Sequence, residues 1–188
     1  GASGSGKSTL LKAIMGIRET GLIHHAGTIQ FDGRELAACT AEDYRHLRGA
    51  ELGIVFQHAG ASLNPTRRIR TQFAEAMRAH GTYTDAEITE RAIELLRRMG
   101  FTDADHILDA YPFTLSGGMA QRAAIALALA LRPRLLLADE PTSALDAALQ
   151  RQVLQILRTL RDEDGTGMLL VTHNIGVPRH IADRAAVM

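Results

Sequence analysis

The chain of 188 residues is long enough to bury a substantial hydrophobic core in one large or two small domains. Its composition, 46% apolar and 22% charged by residue, is ordinary for a globular protein and argues against disorder. Twenty-one basic and twenty-one acidic side chains cancel, which disfavours nucleic acid as a partner, and a single cysteine, Cys39, excludes an internal disulfide.

The first eight residues match the phosphate-loop pattern G-x-x-x-x-G-K-[ST], and the apolar spacing after them predicts a helix whose N-terminal amides face an anion. Lys7 would contact the β- and γ-phosphates of a nucleotide, and the Ser8 hydroxyl would bind Mg²⁺. A flexible glycine loop without a ligand is the alternative, but chance matches to this pattern are rare. The predicted ATP-binding residues are Gly1, Ala2, Ser3, Gly4, Ser5, Gly6, Lys7, Ser8 and Thr9.

Both ends of the sequence indicate a piece of a larger domain. A phosphate loop normally follows a buried strand, but here it opens the chain, and the sequence stops inside the apolar run 185–188. We therefore expect the N-terminal strand or strands and the C-terminal part of the domain to be missing.

Between the ends, strand patterns alternate with helical ones. Residues 28–31 predict a strand that enters a turn at Asp32-Gly33, and residues 66–100 show helical periodicity with one apolar stripe. Strands alternating with helices predict a parallel sheet, so we expect an α/β fold with an all-helical insert. The other predicted elements are strands over 52–56, 135–138 and 168–172 and helices over 117–131 and 144–161.

Two carboxylates, Asp139 and Glu140, follow the apolar run 135–138. A strand there would place both acids at the carboxyl edge of the sheet, where α/β proteins bind ligands. Asp139 suits the oxygen shell of Mg²⁺, and Glu140 could accept a proton from an attacking water molecule. Alone, an apolar strand followed by Asp-Glu is common; with a phosphate loop it predicts a hydrolytic site.

The segment 115–122, Leu-Ser-Gly-Gly-Met-Ala-Gln-Arg, lies shortly before these acids and resembles the signature sequence of ATP-binding cassette (ABC) ATPases. Gln57, which follows a predicted strand, resembles the Q-loop of that family. Residues 143–146 resemble its D-loop, and residues 171–173, which end in His173, resemble its switch-histidine segment. The motifs stand in the family's order and cover the whole chain.

The resemblance implies a P-loop NTPase fold of the ABC type, with a parallel-sheet core and a helical subdomain. The chain would be a single ABC ATPase domain, truncated at both ends. Residues 1–57 and 133–188 would form the nucleotide-binding core, and residues 58–132 the helical subdomain that includes the signature.

The resemblance also implies ATP hydrolysis with Mg²⁺, at two sites in a head-to-tail dimer. Glu140, His173 and Gln57 would be the catalytic residues, and Ser8, Gln57 and Asp139 the magnesium ligands. His173 would hold the γ-phosphate and the attacking water, and Asp146 would connect the two sites.

The signature would contact ATP held by the opposite subunit. Ser116, Gly117, Gly118 and Met119 are the residues that the resemblance assigns to this contact. The residue types are consistent with a contact to phosphate, because a serine and two glycine amides at the start of a helix form a second anion-binding end.

Three details resemble the importers of di- and oligopeptides and of nickel: residues 62–65, Tyr111-Pro112, and Met119 where most ABC ATPases have Gln. In this branch one of two paired ATPases often carries Met, which implies a heterodimer, with a homodimer as the alternative. Asn174 departs from the Asp that commonly follows the switch histidine.

The resemblance implies ATP-driven import, with two membrane permease subunits, a second ABC ATPase subunit and, indirectly, an external solute-binding protein as partners. The chain would lie at the cytoplasmic face of the inner membrane as a peripheral subunit. An ABC ATPase of DNA repair or translation is the alternative, but the segment from Gln57 to Ser116 leaves room only for a compact lobe. A non-catalytic module is disfavoured by the set Lys7, Asp139, Glu140 and His173.

Overall fold

The computed structural model describes residues 4–17, 25–143, 145–174 and 176–188. The helices are α1 (Lys7–Ile14), α2 (Ala41–Leu47), α3 (Ile69–Arg78), α4 (Asp85–Arg98), α5 (Ala104–Asp109), α6 (Gly117–Ala128), α7 (Ala147–Asp164) and α8 (Gly176–Ile181). The strands are β1 (Gln30–Phe31), β2 (Arg34–Glu35), β3 (Leu52–Val55), β4 (Leu135–Asp139) and β5 (Gly167–Val171). Single 3₁₀ turns span Leu36–Ala38, Ala59–Ser62 and Pro112–Thr114.

Within the described residues, β3, β4 and β5 form a parallel sheet with β4 in the middle. Residues 136–139 of β4 are buried, as expected for a strand with neighbours on both sides and helices on the faces. In this register Val55 pairs with Ala138, and Asp139 pairs with Val171. The predicted parallel sheet is confirmed, and its carboxyl edge brings together the residues that follow β3, β4 and β5.

The strand predicted over 28–31 is confirmed for its last two residues, which form a hairpin with β2. The turn residues Asp32 and Gly33 both have positive φ, 50° and 76°, as in the two-residue turns that match strand twist. Asp32 Oδ2 accepts a hydrogen bond of 2.6 Å from Arg134 Nη1, which connects the hairpin to the residue before β4.

The described residues between β3 and β4 form helices and turns without a strand, and they contain α3, α4, α5 and α6. The apolar stripe predicted on α4 is buried together with Phe73 of α3 and Leu108 of α5. The stretch 66–100, where the sequence shows helical periodicity, contains two helices, because Thr84 and Glu87 cap each other's backbone N–H groups and start α4 anew. The boundaries of the two subdomains stay a prediction.

Helices α6 and α7 differ from their predicted bounds for identifiable reasons. Helix α6 ends at Ala128 rather than 131, and Arg91 donates to the carbonyl oxygens of Leu129 and Ala130 at 3.0 and 3.1 Å. Helix α7 begins after Asp146, whose Oδ1 accepts the N–H groups of Ala148 and Leu149 at 2.9 Å. In the part of the chain that the structure describes, no helix is both long enough and apolar enough to cross a bilayer.

Candidate active site

The phosphate loop turns into α1 through two glycines in the left-handed region, Gly4 at φ 80° and Gly6 at φ 88°. A side chain would be strained at either position, which explains why glycine occupies position 6 of the motif and the variable position 4. Gly6 is the N-cap of α1, so the first amides of the helix point out of its N-terminus, as anion binding requires. Lys7 Nζ donates to Ser5 Oγ at 2.9 Å. The predicted contacts of Gly1, Ala2 and Ser3 lie outside the described residues.

The three predicted magnesium ligands come from three neighbouring elements. Ser8 lies in the first turn of α1, which packs against β4; Gln57 follows β3; and Asp139 is the buried last residue of β4. Because β3 and β4 are parallel and adjacent, Gln57 and Asp139 share one edge of the sheet.

The donor chemistry of these three side chains fits Mg²⁺. Hydroxyl, amide and carboxylate oxygens are hard ligands, and Mg²⁺ usually takes one or two carboxylates, with phosphates and water completing its shell. Among the described residues no group of three His, Cys, Asp or Glu side chains could hold a metal by itself.

Glu140 has the left-handed backbone conformation, with φ 48°, which is rare for a residue with a side chain. Its N–H donates to Val171 O at 2.9 Å, so the chain stays paired to β5 for one residue beyond β4. Its own carbonyl accepts from Ser143 N at 3.1 Å and from Ser143 Oγ at 3.0 Å. Strained backbone held by several bonds is a recurring feature of catalytic positions.

Glu140 and His173 meet at this edge of the sheet. His173 Nδ1 lies 2.7 Å from Glu140 Oε1, with the Glu140 side chain 17% exposed and the imidazole 67% exposed. An ionised carboxylate can only accept, so this contact is a hydrogen bond when Nδ1 carries the proton. The contact thus joins one carboxylate oxygen of Glu140, Oε1, to the imidazole.

The signature forms the second helix start that the sequence predicts. Ser116 is the N-cap of α6, and its Oγ accepts the N–H of Met119 at 3.3 Å. Ser116 and Gly117 are exposed. A Cβ on Gly118 would lie 3.3 Å from Leu145 Cδ2, so this end of α6 rests against the residues that lead into α7.

Two polar residues of the signature segment, Gln121 and Arg122, are buried in α6 and received no role from the sequence. Arg122 Nη1 donates to Met99 O at 2.8 Å, and the guanidinium lies 4.4 Å from the centre of the Phe101 ring. Burial lowers the pKa of Arg122, and the charge of Asp146 opposes this shift. The sequence signal that could have identified these two residues is their polarity inside an otherwise alanine-rich, apolar helix.

The fold and this order of sites along the chain are those of P-loop ATPases with a signature helix. The sequence profile of the ABC transporter family matches residues 1–143, and the chain belongs to that family. The family and the α/β P-loop fold predicted from the sequence are confirmed.

The chain is similar in sequence to named proteins of other organisms. It is 47% identical over 195 residues to a putative peptide import ATP-binding protein of Brucella melitensis and 43% identical over 189 residues to the oligopeptide transport ATP-binding protein AppD of Bacillus subtilis. All of the chain aligns in both cases, but it spans only 57% and 58% of their lengths.

Among solved structures, an ATP-binding cassette in a dimeric post-hydrolysis state, bound to ADP and Pi, has a TM-score of 0.83 and 32% identity, covering 95% of this chain and 75% of that one. A dimeric bacterial ABC transporter cassette has a TM-score of 0.84 at the same identity and the same coverage.

Proposed function

We propose that this chain is the ATP-binding and hydrolysing part of a subunit that powers the import of peptides through an ABC transporter. The contact between Glu140 and His173 at the carboxyl edge of the sheet carries the hydrolytic part of the proposal. Peptides are favoured over nickel because the relatives described above are named for peptide import and oligopeptide transport.

In this proposal ATP binds with its phosphates at the N-terminus of α1. The amides of the phosphate loop and the Lys7 ammonium would bind the β- and γ-phosphates, since helix N-termini and basic side chains both favour anions. Ser8, Asp139 and Gln57 would hold Mg²⁺, which when bound neutralises charge on those phosphates.

Hydrolysis requires a water molecule aligned with the γ-phosphorus and a base to take its proton. Glu140 would accept that proton at Oε2 while the water oxygen bonds to phosphorus and the bond to the bridging oxygen of ADP breaks. His173 would hold the carboxylate through Nδ1 and face the γ-phosphate with the other side of its ring. The products are ADP and inorganic phosphate.

The exposed start of α6 would bind the phosphates of ATP held by a second ATPase subunit, through Ser116, Gly117, Gly118 and Met119. The dimeric state of both solved cassettes supports a dimeric arrangement. Asp146, which caps α7 beside the signature helix, would connect the two nucleotide sites. Met119 favours a different ATPase as the second subunit.

The remaining partners follow from the importer proposal. Two permease subunits would form the pathway through the membrane, and an external solute-binding protein would deliver the peptide. The ATPase subunit would then lie on the cytoplasmic face of the inner membrane, attached to the permeases.

The test is uptake in cells that lack the gene, complemented with wild type or with Glu140→Gln. Uptake of a labelled short peptide and of ⁶³Ni²⁺ would be measured in parallel. We expect peptide uptake to be lost and to return only with wild type. Loss of nickel uptake alone would assign the subunit to a nickel importer, and unchanged uptake of both would remove the import proposal.

A further inference from the structure

We infer that Gln121 is a positioning residue, which holds the loop that carries Glu140 against the segment that follows Gln57. This inference rests on the proposed ATP hydrolysis at Glu140. Gln121 lies one turn into α6 and is 1% exposed. Burying an amide inside an apolar helix costs free energy unless both of its polar ends are bonded, so the partners of this side chain are informative.

The two ends of the Gln121 amide bond to two different segments. Its Nε2 donates to Pro141 O at 2.8 Å, and its Oε1 accepts from Gly60 N at 3.4 Å. Pro141 directly follows Glu140, and Gly60 lies three residues after Gln57. The contact with Pro141 is short and buried, whereas the contact with Gly60 is at the long end for an N–H···O bond, so we assign the stronger effect to Pro141.

Gly60 is held against α6 by packing as well. A Cβ at Gly60 would lie 2.8 Å from Ala120 Cβ and 3.3 Å from the backbone nitrogen of Gln121. The 3₁₀ turn Ala59–Ser62 therefore contacts the backbone of α6 directly, and a displacement of this turn would be transmitted to the helix.

The bond to Pro141 completes the restraint of the Glu140 backbone. The N–H of Glu140 donates to Val171 O, and the Glu140 carbonyl accepts from the N–H and the hydroxyl of Ser143. Gln121 fixes the next carbonyl, that of Pro141. A backbone with φ 48° persists only where its surroundings hold it on several sides, so loss of this bond would allow the Glu140 carboxylate to leave its contact with His173.

A second buried glutamine, Gln72 on α3, supplies a matched control. Its amide also bridges backbone groups: Oε1 accepts from Asn64 N at 2.9 Å, and Nε2 donates to Asn64 O and Arg67 O at 3.1 and 3.0 Å. These partners, Asn64 and Arg67, follow the 3₁₀ turn Ala59–Ser62, and neither of them belongs to the loop that carries Glu140. Gln72→Leu should therefore remove a buried, bonded amide, as Gln121→Leu does, while it leaves the bond to Pro141 O in place.

The experiment measures ATP turnover by the full-length protein carrying Gln121→Leu, Gln121→Glu or Gln72→Leu. Misplacing a catalytic group lowers the rate of the chemical step, so we expect kcat to fall about ten- to a hundredfold in Gln121→Leu. KM for ATP should stay within about threefold because the phosphate loop is unchanged. Gln72→Leu should keep kcat within about twofold of wild type while lowering the melting temperature.

Gln121→Glu tests the donor to Pro141 O specifically. An ionised Glu can accept from Gly60 N but cannot donate to Pro141 O, whereas the protonated form can do both. We therefore expect kcat of this variant, relative to wild type, to rise as the pH is lowered from about 8 to about 6, since burial raises the pKa of a carboxyl group. Turnover is compared per folded molecule at each pH, because an ionised buried carboxylate also lowers the folded fraction as the pH rises.

Amide hydrogen exchange provides a readout that does not depend on turnover. Gln121→Leu should speed exchange at Gly60 and Ser143, and Gln72→Leu should not. Unchanged exchange at both amides, or wild-type kcat in a folded Gln121→Leu protein, overturns the inference. Absence of ATP hydrolysis by the wild type would contradict the proposed function instead, and the exchange result would still decide whether Gln121 restrains the loop.

Discussion

His173 Nδ1 and Glu140 Oε1 lie 2.7 Å apart, although the two residues follow different strands of the sheet. Strands β4 and β5 pair in parallel, so both end at the same edge of the sheet. The residues that follow them therefore lie close together. The imidazole can orient the carboxylate only while Nδ1 carries a proton, which links the histidine to the proposed base at Glu140.

Glu140→Gln should leave nucleotide binding intact and lower ATP turnover by about 10²- to 10⁴-fold, because the amide keeps the shape of the side chain but cannot accept the proton of the attacking water. Steady-state turnover and calorimetric binding of ATP by the full-length protein measure the two effects separately. Undiminished turnover would refute the assignment of Glu140 as the base.

The positions of these residues could be predicted from the sequence, but their conformations could not. The apolar run 135–138 before two acids is a local pattern, and it correctly placed Asp139 and Glu140 at the edge of the sheet. The left-handed backbone of Glu140 depends instead on its bonds to Val171 and Ser143, which only the folded sheet brings near. Local patterns do not contain such long-range contacts.

The same limit applies to the helices. Periodicity identified the buried stripe of α4 but missed the break before Thr84, because a capping box depends on two side chains rather than on an apolar repeat. Gln121 and Arg122 stood in a recognised motif, yet their partners, among them Gly60, Pro141 and Met99, are distant in the chain.

Lys7→Ala should weaken ATP binding by about ten- to a hundredfold, because hydrogen bonds to charged groups contribute roughly 1.5–3 kcal/mol. Lys12→Ala, in the last turn of the same helix, is the matched control and should change Kd by less than about twofold, since it lies away from the phosphate loop. Titration of a fluorescent ATP analogue measures both. Equal effects of the two variants would contradict the assignment of Lys7 to the phosphates.

Arg122→Ala should lower the free energy of unfolding by about 2–3 kcal/mol, through loss of the bond to Met99 O and of the contact with the Phe101 ring. Removal of Arg122 Nε, a buried atom without a hydrogen-bond partner in the described part of the chain, offsets some of this loss. Arg151→Ala, at an exposed position on α7, should stay within about 0.5 kcal/mol of wild type. Urea denaturation compares the two, and an equal response would show that the buried contacts of Arg122 contribute nothing measurable.

The capping box of α4 should make part of the stability depend on pH. Hydrogen bonds from the backbone and then the hydroxyl of Thr84 lower the pKa of Glu87 below its ordinary value of 4.5. A lowered carboxyl pKa means that the stabilisation is complete above the pKa of the unfolded chain and is lost as the pH falls through the folded value. Glu87→Gln should therefore have a lower melting temperature than wild type near neutral pH, and the difference should shrink as the pH falls from about 6 to about 3. Thermal melts of both proteins across this range provide the measurement, and a difference that stayed constant with pH would show that the charge of Glu87 does not stabilise the cap.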